Sequence, residues 1–241
     1  MAMQSRPVLT AFDWVPDFAK GLVRDLRIRW ALEEIGRPYD TRLFGAASPR
    51  PDDYLKWQPF DQVPAFAEGD IQLFESGAIL LYLAEHDERL LPSEGQDRWN
   101  AICWLFAGLN SVEPAFQRVV TYDVFQADQP WAKDARVPAC EMAERKLMRV
   151  ADALGDKDWL AGRFSIADIV MITVLNLLRH TEMVRDHPTL SVYKKRGEAR
   201  PAYQRALAAQ LADFEESHAP VPEDNPTPDR ARTAGPRPTS T

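Results

Sequence analysis

The run Gln62-Val63-Pro64 is the first place in this sequence where residue types and order suggest recognition chemistry. A proline at the entry to a strand can hold a cis peptide and leave the main-chain groups of the preceding residue facing outward. Such groups pair with an extended peptide, so Val63 would act through its N–H and C=O rather than its side chain. The other reading of the run is an ordinary trans X-Pro turn. Glu75-Ser76 is the second place. A hydroxyl opening a helix caps it and leaves N–H groups free to hold a carboxylate, while the adjacent Glu75 can take an ammonium. The pair suits the zwitterionic end of a ligand with amino and carboxylate groups on one carbon; read alone, it is a helix cap. Ser165 and Asp168 have the S-x-x-D spacing of a capping box, a folding role whose loss costs about 0.5–2 kcal/mol.

The elements that must position these runs follow from apolar spacing. Val8 to Phe12 reads as a strand, and Gly21 to Ile35 carries Leu22, Leu26, Ile28, Leu32 and Ile35 at helical spacing before Gly36. Pro38 to Phe44 is a second strand closing a βαβ unit, and Asp52 to Gln58 a short helix. Pro64 to Ala67 and Ile71 to Phe74 flank Glu68-Gly69-Asp70 as a hairpin, which lets Pro64 and Ser76 share one edge of a small sheet. A helix with Ile79, Leu80, Tyr82 and Leu83 follows, and Pro92 and Gly95 break structure after it. Beyond lie helical segments at Trp99 to Phe116, Ala132 to Leu154, Ile166 to His180, Pro188 to Arg196 and Ala202 to Glu216. The expected organisation is an α/β domain at 7–86, a linker at 87–97, an all-α domain at 98–217 and a disordered Pro-rich tail at 218–241.

Composition narrows the function. The 241 residues are 45% hydrophobic and 27% charged, ample for one or two packed domains. A formal net charge of −7 is the wrong sign for neutralising phosphates, so nucleic acid is not the expected partner. The most apolar stretch, Ile169 to Leu178, holds Thr173 and Asn176 and is about half the length needed to cross a bilayer, so no membrane is expected. No secretory leader is read at the N-terminus. Two cysteines, Cys103 and Cys140, make neither a disulfide framework nor a CxxC pair; they are expected as buried, inert thiols in a reducing cytoplasm. His86, His180, His187 and His218 lack metal-ligand spacing and no Gly-rich phosphate loop occurs, so neither metal nor nucleotide is expected.

The run QVPAFAEGDIQLFESGAILLYLAE, Gln62 to Glu85, resembles the N-terminal domain of glutathione S-transferases, and VRDLRIRWALEEIGRPYD, Val23 to Asp40, is similar to that family's first helix and second strand. Trp159 to Asp168 is similar to a motif of its C-terminal domain, extending the resemblance to about residues 8–216. The resemblance implies a thioredoxin-like α/β domain followed by an all-helical bundle, a homodimer, and glutathione as co-substrate. It implies that Val63 pairs with the cysteinyl backbone, that Gln62 and Pro64 belong to the same site, and that Glu75 and Ser76 hold the γ-glutamyl end. It further implies activation of the glutathione sulfur as a thiolate for attack on a small electrophile, with a detoxifying transferase as the expected enzyme. The alternatives are a non-catalytic glutathione-binding or scaffold protein and a glutathione-dependent lyase, dehalogenase or peroxidase.

One segment departs from the family pattern. A Ser, Tyr or Cys is usual after the first strand to stabilise the thiolate, and Phe12 to Gly21 contains none. Lys20 and Arg24 are the nearest cations for that task, helped by free N–H groups near Gly21, although each could equally be a solvated surface residue. Trp14 and Phe18, facing Trp104, Phe106 and Asn110, are the candidates for the apolar substrate site; plain core packing is the alternative for the helix aromatics.

Overall fold

The computed structural model of the chain describes residues 6–46, 48–85 and 87–219. A four-stranded sheet runs in the order β2-β1-β3-β4, with β1 at Val8–Phe12, β2 at Asp40–Phe44, β3 at Ala65–Glu68 and β4 at Ile71–Phe74. β1 and β2 are parallel in the register Val8 to Asp40, joined through α1 (Asp25–Glu34). β3 pairs antiparallel with β1 and with β4. α2 (Asp52–Trp57) buries Tyr54 against Phe44 and Trp57. α3 (Ser76–Ala84) packs against α1.

Among the described residues the remainder contains no strand. α4 (Gly95–Phe106) continues through a wider, π-helical stretch, Ala107–Val112, into α5 (Glu113–Val120). The widening precedes Pro114, which has no N–H to bond the preceding turn, so the expected single helix is divided there. α6 (Ala132–Leu154), α7 (Ile166–Leu175), α8 (Pro188–Glu198) and α9 (Pro201–Ala212) complete the bundle. Every residue of α7 is buried. Its start is the capping box read from sequence: Ser165 N–H donates to Asp168 Oδ2 at 2.9 Å, and Ser165 Oγ accepts from Ala167 N–H at 3.3 Å. Asp168 Oδ1 also accepts from Leu160 N–H at 3.0 Å and the Tyr193 hydroxyl at 2.8 Å.

α1 starts four residues later than its apolar spacing predicts, because Gly21 turns the chain at φ +76 where an added Cβ would sit 3.2 Å from Leu207. All of Asp25 to Leu32 is buried, with α3 on one side and α7 and α9 on others. Arg29 survives this burial through Asp25 at 2.7 Å and Asp213 at 2.5 Å. The stretch between α3 and α4 docks as well: Leu90 and Leu91 are buried, and Leu90 O accepts from Ile166 N–H at 2.9 Å. After α9 the chain returns to the loop behind β1, where Glu215 N–H donates to Asp13 O at 2.9 Å and His218 Nδ1 lies 3.2 Å from Asp13 Oδ2. The rest of the expected tail, 220–241, lies outside the described residues, as does His86.

Candidate functional site

A cleft with two lobes opens where the β-sheet domain meets α4 and α5. The first lobe, about 440 Å³, includes Glu75, Ser76, Phe106, Leu109 and Asn110 in its lining. The second, about 300 Å³, includes Phe12, Leu22, Val23, Val63, Gln117 and Leu177. Arg24, Gln62 and Glu113 line both and join them.

In the first lobe, Glu75 has φ +68 and precedes α3, whose first helical bond runs from Ile79 N–H to Glu75 O at 3.0 Å. The N–H groups of Ser76, Gly77 and Ala78 therefore point out of the helix start without an intrahelical acceptor. Ser76 is not the cap expected from sequence: it is the first helical residue, and its hydroxyl accepts from Arg27 Nη1 at 3.2 Å instead. That bond fixes the oxygen and leaves its proton to donate. Gly77 is required by the close approach of α3 to the long helix, since a Cβ would lie 2.6 Å from the Leu109 side chain.

Behind Ser76 lies a buried charge network. Glu113, 4% exposed, receives Arg27 Nη2 at 3.0 Å on one oxygen and Arg24 Nε at 2.9 Å on the other. Arg27 also donates through Nε to Thr173 on α7 at 3.0 Å. Burial pushes the Arg27 guanidinium below its ordinary value, against the attraction of Glu113. Sequence reading named Asn110 and missed Glu113. The signal was present: residues 106, 110, 113 and 117 recur on one helical face, and a carboxylate on such a face needs a cation.

In the second lobe, the Val63–Pro64 peptide is cis. Thr10 satisfies both main-chain groups of Ala65, accepting from its N–H at 2.6 Å and donating to its carbonyl at 3.3 Å, and the Tyr54 hydroxyl donates to Gln62 O at 2.5 Å. The N–H and C=O of Val63, between them, have no partner among the described residues. Pro64 is buried and lines neither lobe. Arg24 stands at the start of α1 with Nη1 unbonded among the described residues, and the N–H groups of Val23 and Arg24 are likewise unpaired. No Ser, Thr, Tyr or Cys lines this lobe.

Several expected residues fall elsewhere. Lys20 lies 2.8 Å from Asp17 Oδ1 and lines neither lobe. Trp104 is two residues before Phe106, about 200° around the helix, and packs on the core. Trp14 lies outside both lobes and buries its indole N–H without a partner among the described residues. Phe18 also lines neither lobe; it meets Phe125 edge to face at 5.6 Å, and both rings are exposed. Cys103 is exposed rather than buried, since it lies on the face of α4 away from Ala101 and Leu105, and Cys140 is half-buried. A separate cavity of about 400 Å³ between the ends of α1 and α3 has polar groups that satisfy each other: Glu68 pairs with Arg37 and accepts from the Tyr82 hydroxyl at 3.0 Å.

The family profile for the glutathione S-transferase N-terminal domain matches residues 8–85. The chain is 33% identical over 165 residues to the glutathione S-transferase GstA of Escherichia coli O157:H7, covering 66% of this chain and 79% of that protein. It is 30% identical over 172 residues to the disulfide-bond oxidoreductase YfcG of Escherichia coli K12, covering 67% and 79%. A glutathione transferase family member from Pseudomonas fluorescens Pf-5, solved with two glutathione molecules bound, superposes with a TM-score of 0.75 at 26% identity, covering 86% of this chain and 94% of that one. The chain belongs to the glutathione S-transferase family, with a thioredoxin-like N-terminal domain and a helical C-terminal domain. No helix among the described residues is long and apolar enough to cross a membrane.

Proposed function

We propose that the cleft binds glutathione and directs its thiolate at a small electrophile. The observation that carries this reading is the arrangement, along one cleft, of groups unpaired among the described residues: Glu75 and the start of α3 at one end, the Val63 main chain at the other, and the free Nη1 of the Glu113-paired Arg24 between. The γ-glutamyl carboxylate takes the Ser76 hydroxyl and the free N–H groups of α3, and its ammonium takes Glu75. The cysteinyl unit pairs with Val63 N–H and C=O beside Gln62. Its sulfur then lies against Arg24 and the first turn of α1. Lowering a thiol by two pKa units requires about 2.7 kcal/mol of preference for the anion, within reach of one guanidinium and a helix start. The thiol proton leaves to solvent, the thiolate attacks the electrophilic carbon, and the leaving group departs with its electron pair. Leu22, Leu177 and Gln117 line the space for that electrophile, with the Phe18–Phe125 pair displayed on the same loop and helix. A homodimer accompanies this reading, supported by the exposed rings of Phe60 and Phe74 in contact beside edge strand β4.

The absence of a hydroxyl in the second lobe favours a second reading, thiol–disulfide exchange. There the thiolate attacks one sulfur of a disulfide, a mixed disulfide forms, and a thiolate leaves, with no carbon centre to activate. The likeness to YfcG and the two glutathione molecules in the Pseudomonas neighbour support it. The test is the ultraviolet absorbance of bound glutathione against pH, followed by turnover with an aryl halide and with glutathione disulfide. Depressed titration with aryl-halide turnover supports conjugation, and depressed titration with disulfide turnover alone supports exchange. Titration at the free value with neither activity leaves a binding protein.

A further inference from the structure

The groups that the proposed activation needs, the Arg24 guanidinium and the unpaired N–H groups of Val23 and Arg24, lie just ahead of the regular helix, which begins at Asp25. A turn outside the helical ladder needs another brace, and α9 of the C-terminal domain supplies it. Three successive turns of α9 meet the start of α1. Leu207 packs on Gly21, where an added Cβ would lie 3.2 Å from it, and Asp213, just past the end of α9, takes Arg29 Nη2 at 2.5 Å. Between these two, Gln210 is fully buried, and its Nε2 donates to Val23 O at 3.2 Å and to Asp25 Oδ1 at 2.7 Å. Both hydrogens of one amide are therefore committed to the two residues that flank Arg24.

The same amide leaves its Oε1 buried with no partner among the described residues. Turning the amide over gives no relief, because Oε1 would then face a carbonyl oxygen and a carboxylate oxygen, neither of which donates. A side chain that only filled this space would need no amide, and the orphaned acceptor is a cost that the two donated bonds must offset. Those bonds fix the main chain on both sides of Arg24, and so set the direction of its side chain into the second lobe. We propose that Gln210 is a positioning residue for the thiolate: it holds the first turn of α1, and with it the Arg24 guanidinium, against the sulfur of bound glutathione. This inference rests on the role given to Arg24 above and extends the activating machinery into the C-terminal helix.

Gln210→Met, of similar length but without the amide, tests this through the ultraviolet absorbance of glutathione bound to the full chain, followed against pH. The bound thiol is expected to titrate about half a unit higher than in the wild type, about threefold less thiolate below the midpoint, with retention on immobilised glutathione within about twofold. In the Arg24→Gln background, where no guanidinium is left to position, the same change is expected to add less than half of that shift. Ser165→Ala, which removes the cap of α7 and lowers stability at a distance, is expected to leave the titration at the wild-type value. If Gln210→Met does not fold, as checked by circular dichroism, Gln210→Asn, whose amide stops one methylene short, is read in its place with the same expectation. The inference is overturned by a titration that stays put in the Gln210 variant while Arg24→Gln moves it, by the full shift persisting in the Arg24→Gln background, or by an equal shift in Ser165→Ala. An unmoved titration in Arg24→Gln itself overturns the role of Arg24 and this inference with it, a result distinct from the failure of Gln210 alone.

Discussion

In the lobe at the start of α3, the polar groups behind the cleft hold one another, Ser76 by Arg27, Arg27 by Glu113 and Thr173, and Glu113 by Arg24, while Glu75 and the N–H groups of the helix start are left to face the cleft. In the lobe at Val63, the walls are Phe12, Leu22, Val23 and Leu177, and the polar groups that line it are the Arg24 guanidinium, two glutamines, Asp61, the Arg24-paired Glu113 and main-chain N–H and C=O. The contrast separates two tasks. Holding a zwitterion needs fixed, opposed charges, which must themselves be braced because they are desolvated. Stabilising a single sulfur anion needs only positive potential, which one cation and a helix start supply without a dedicated side chain. On the proposed reading, recognition is rigid and redundant, and activation is lean and exposed to single substitutions.

The sharpest way to break the contrast is to remove its brace. Glu113→Ala leaves two guanidinium groups without their carboxylate and is expected to destabilise the fold by about 3–5 kcal/mol, read by urea denaturation. Smaller, and confined to binding, is Glu75→Ala, expected to weaken retention on immobilised glutathione by about 1.5–3 kcal/mol with the melting temperature nearly unchanged; Ser76→Ala is expected to weaken retention as much and also to cost about 1–3 kcal/mol of stability, because it strips the buried Arg27 Nη1 of its acceptor. Next comes Arg24→Gln, which tests the lean lobe. The bound thiol is expected to titrate about one unit higher, about 1.4 kcal/mol, with retention largely kept. An unshifted titration would remove Arg24 from the activation role. Ser165→Ala serves as the control outside both lobes, costing about 0.5–2 kcal/mol of stability and leaving retention and thiol titration alone.

The last test of the comparison is a pH dependence. Burial raises the carboxyls of Asp25 and Asp168 to about 6, against pulls from Arg29 and Gln210 on the first and from Leu160 N–H, Tyr193 and Ser165 on the second. With folded values above the unfolded value near 3.9, the native state holds protons that the unfolded chain has released across roughly pH 4–6. Their contribution to stability is full below that window and lost as pH rises through 6. Asp25→Asn is expected to shrink the fall in denaturation midpoint between pH 4.5 and 6.5.

Much of this was legible in the residues because it rests on local chemistry. Val63-Pro64, Glu75-Ser76 and the Ser165–Asp168 box are short-range motifs, and the structure finds the last as drawn and puts Val63, Glu75 and Ser76 on one cleft, with Pro64 buried off it and Ser76 inside the helix rather than capping it. What escaped depends on contacts distant in sequence. Glu113 matters only once α1 lies beside α5, with Arg24 and Arg27 some ninety residues earlier in the chain. Trp104 was misplaced for a rotational reason, since helical spacing names two faces and only packing chooses between them. The late start of α1 turned on Gly21 against Leu207, a contact that local periodicity does not contain.

The buried first helix carries one more consequence. α1 closes the βαβ unit of the N-terminal domain, yet Trp30 is walled by Phe164 and Tyr203, and Gln210 Nε2 donates to Asp25 at 2.7 Å. Cutting the chain at the linker would strip the amino-terminal half of one wall of its own helix and present Trp30, Arg27 and Arg29 to water. The two halves differ in architecture yet share the walls of α1, so they are expected to unfold as a single cooperative unit, and exchanging either for a relative's half would require recutting the seam along α1.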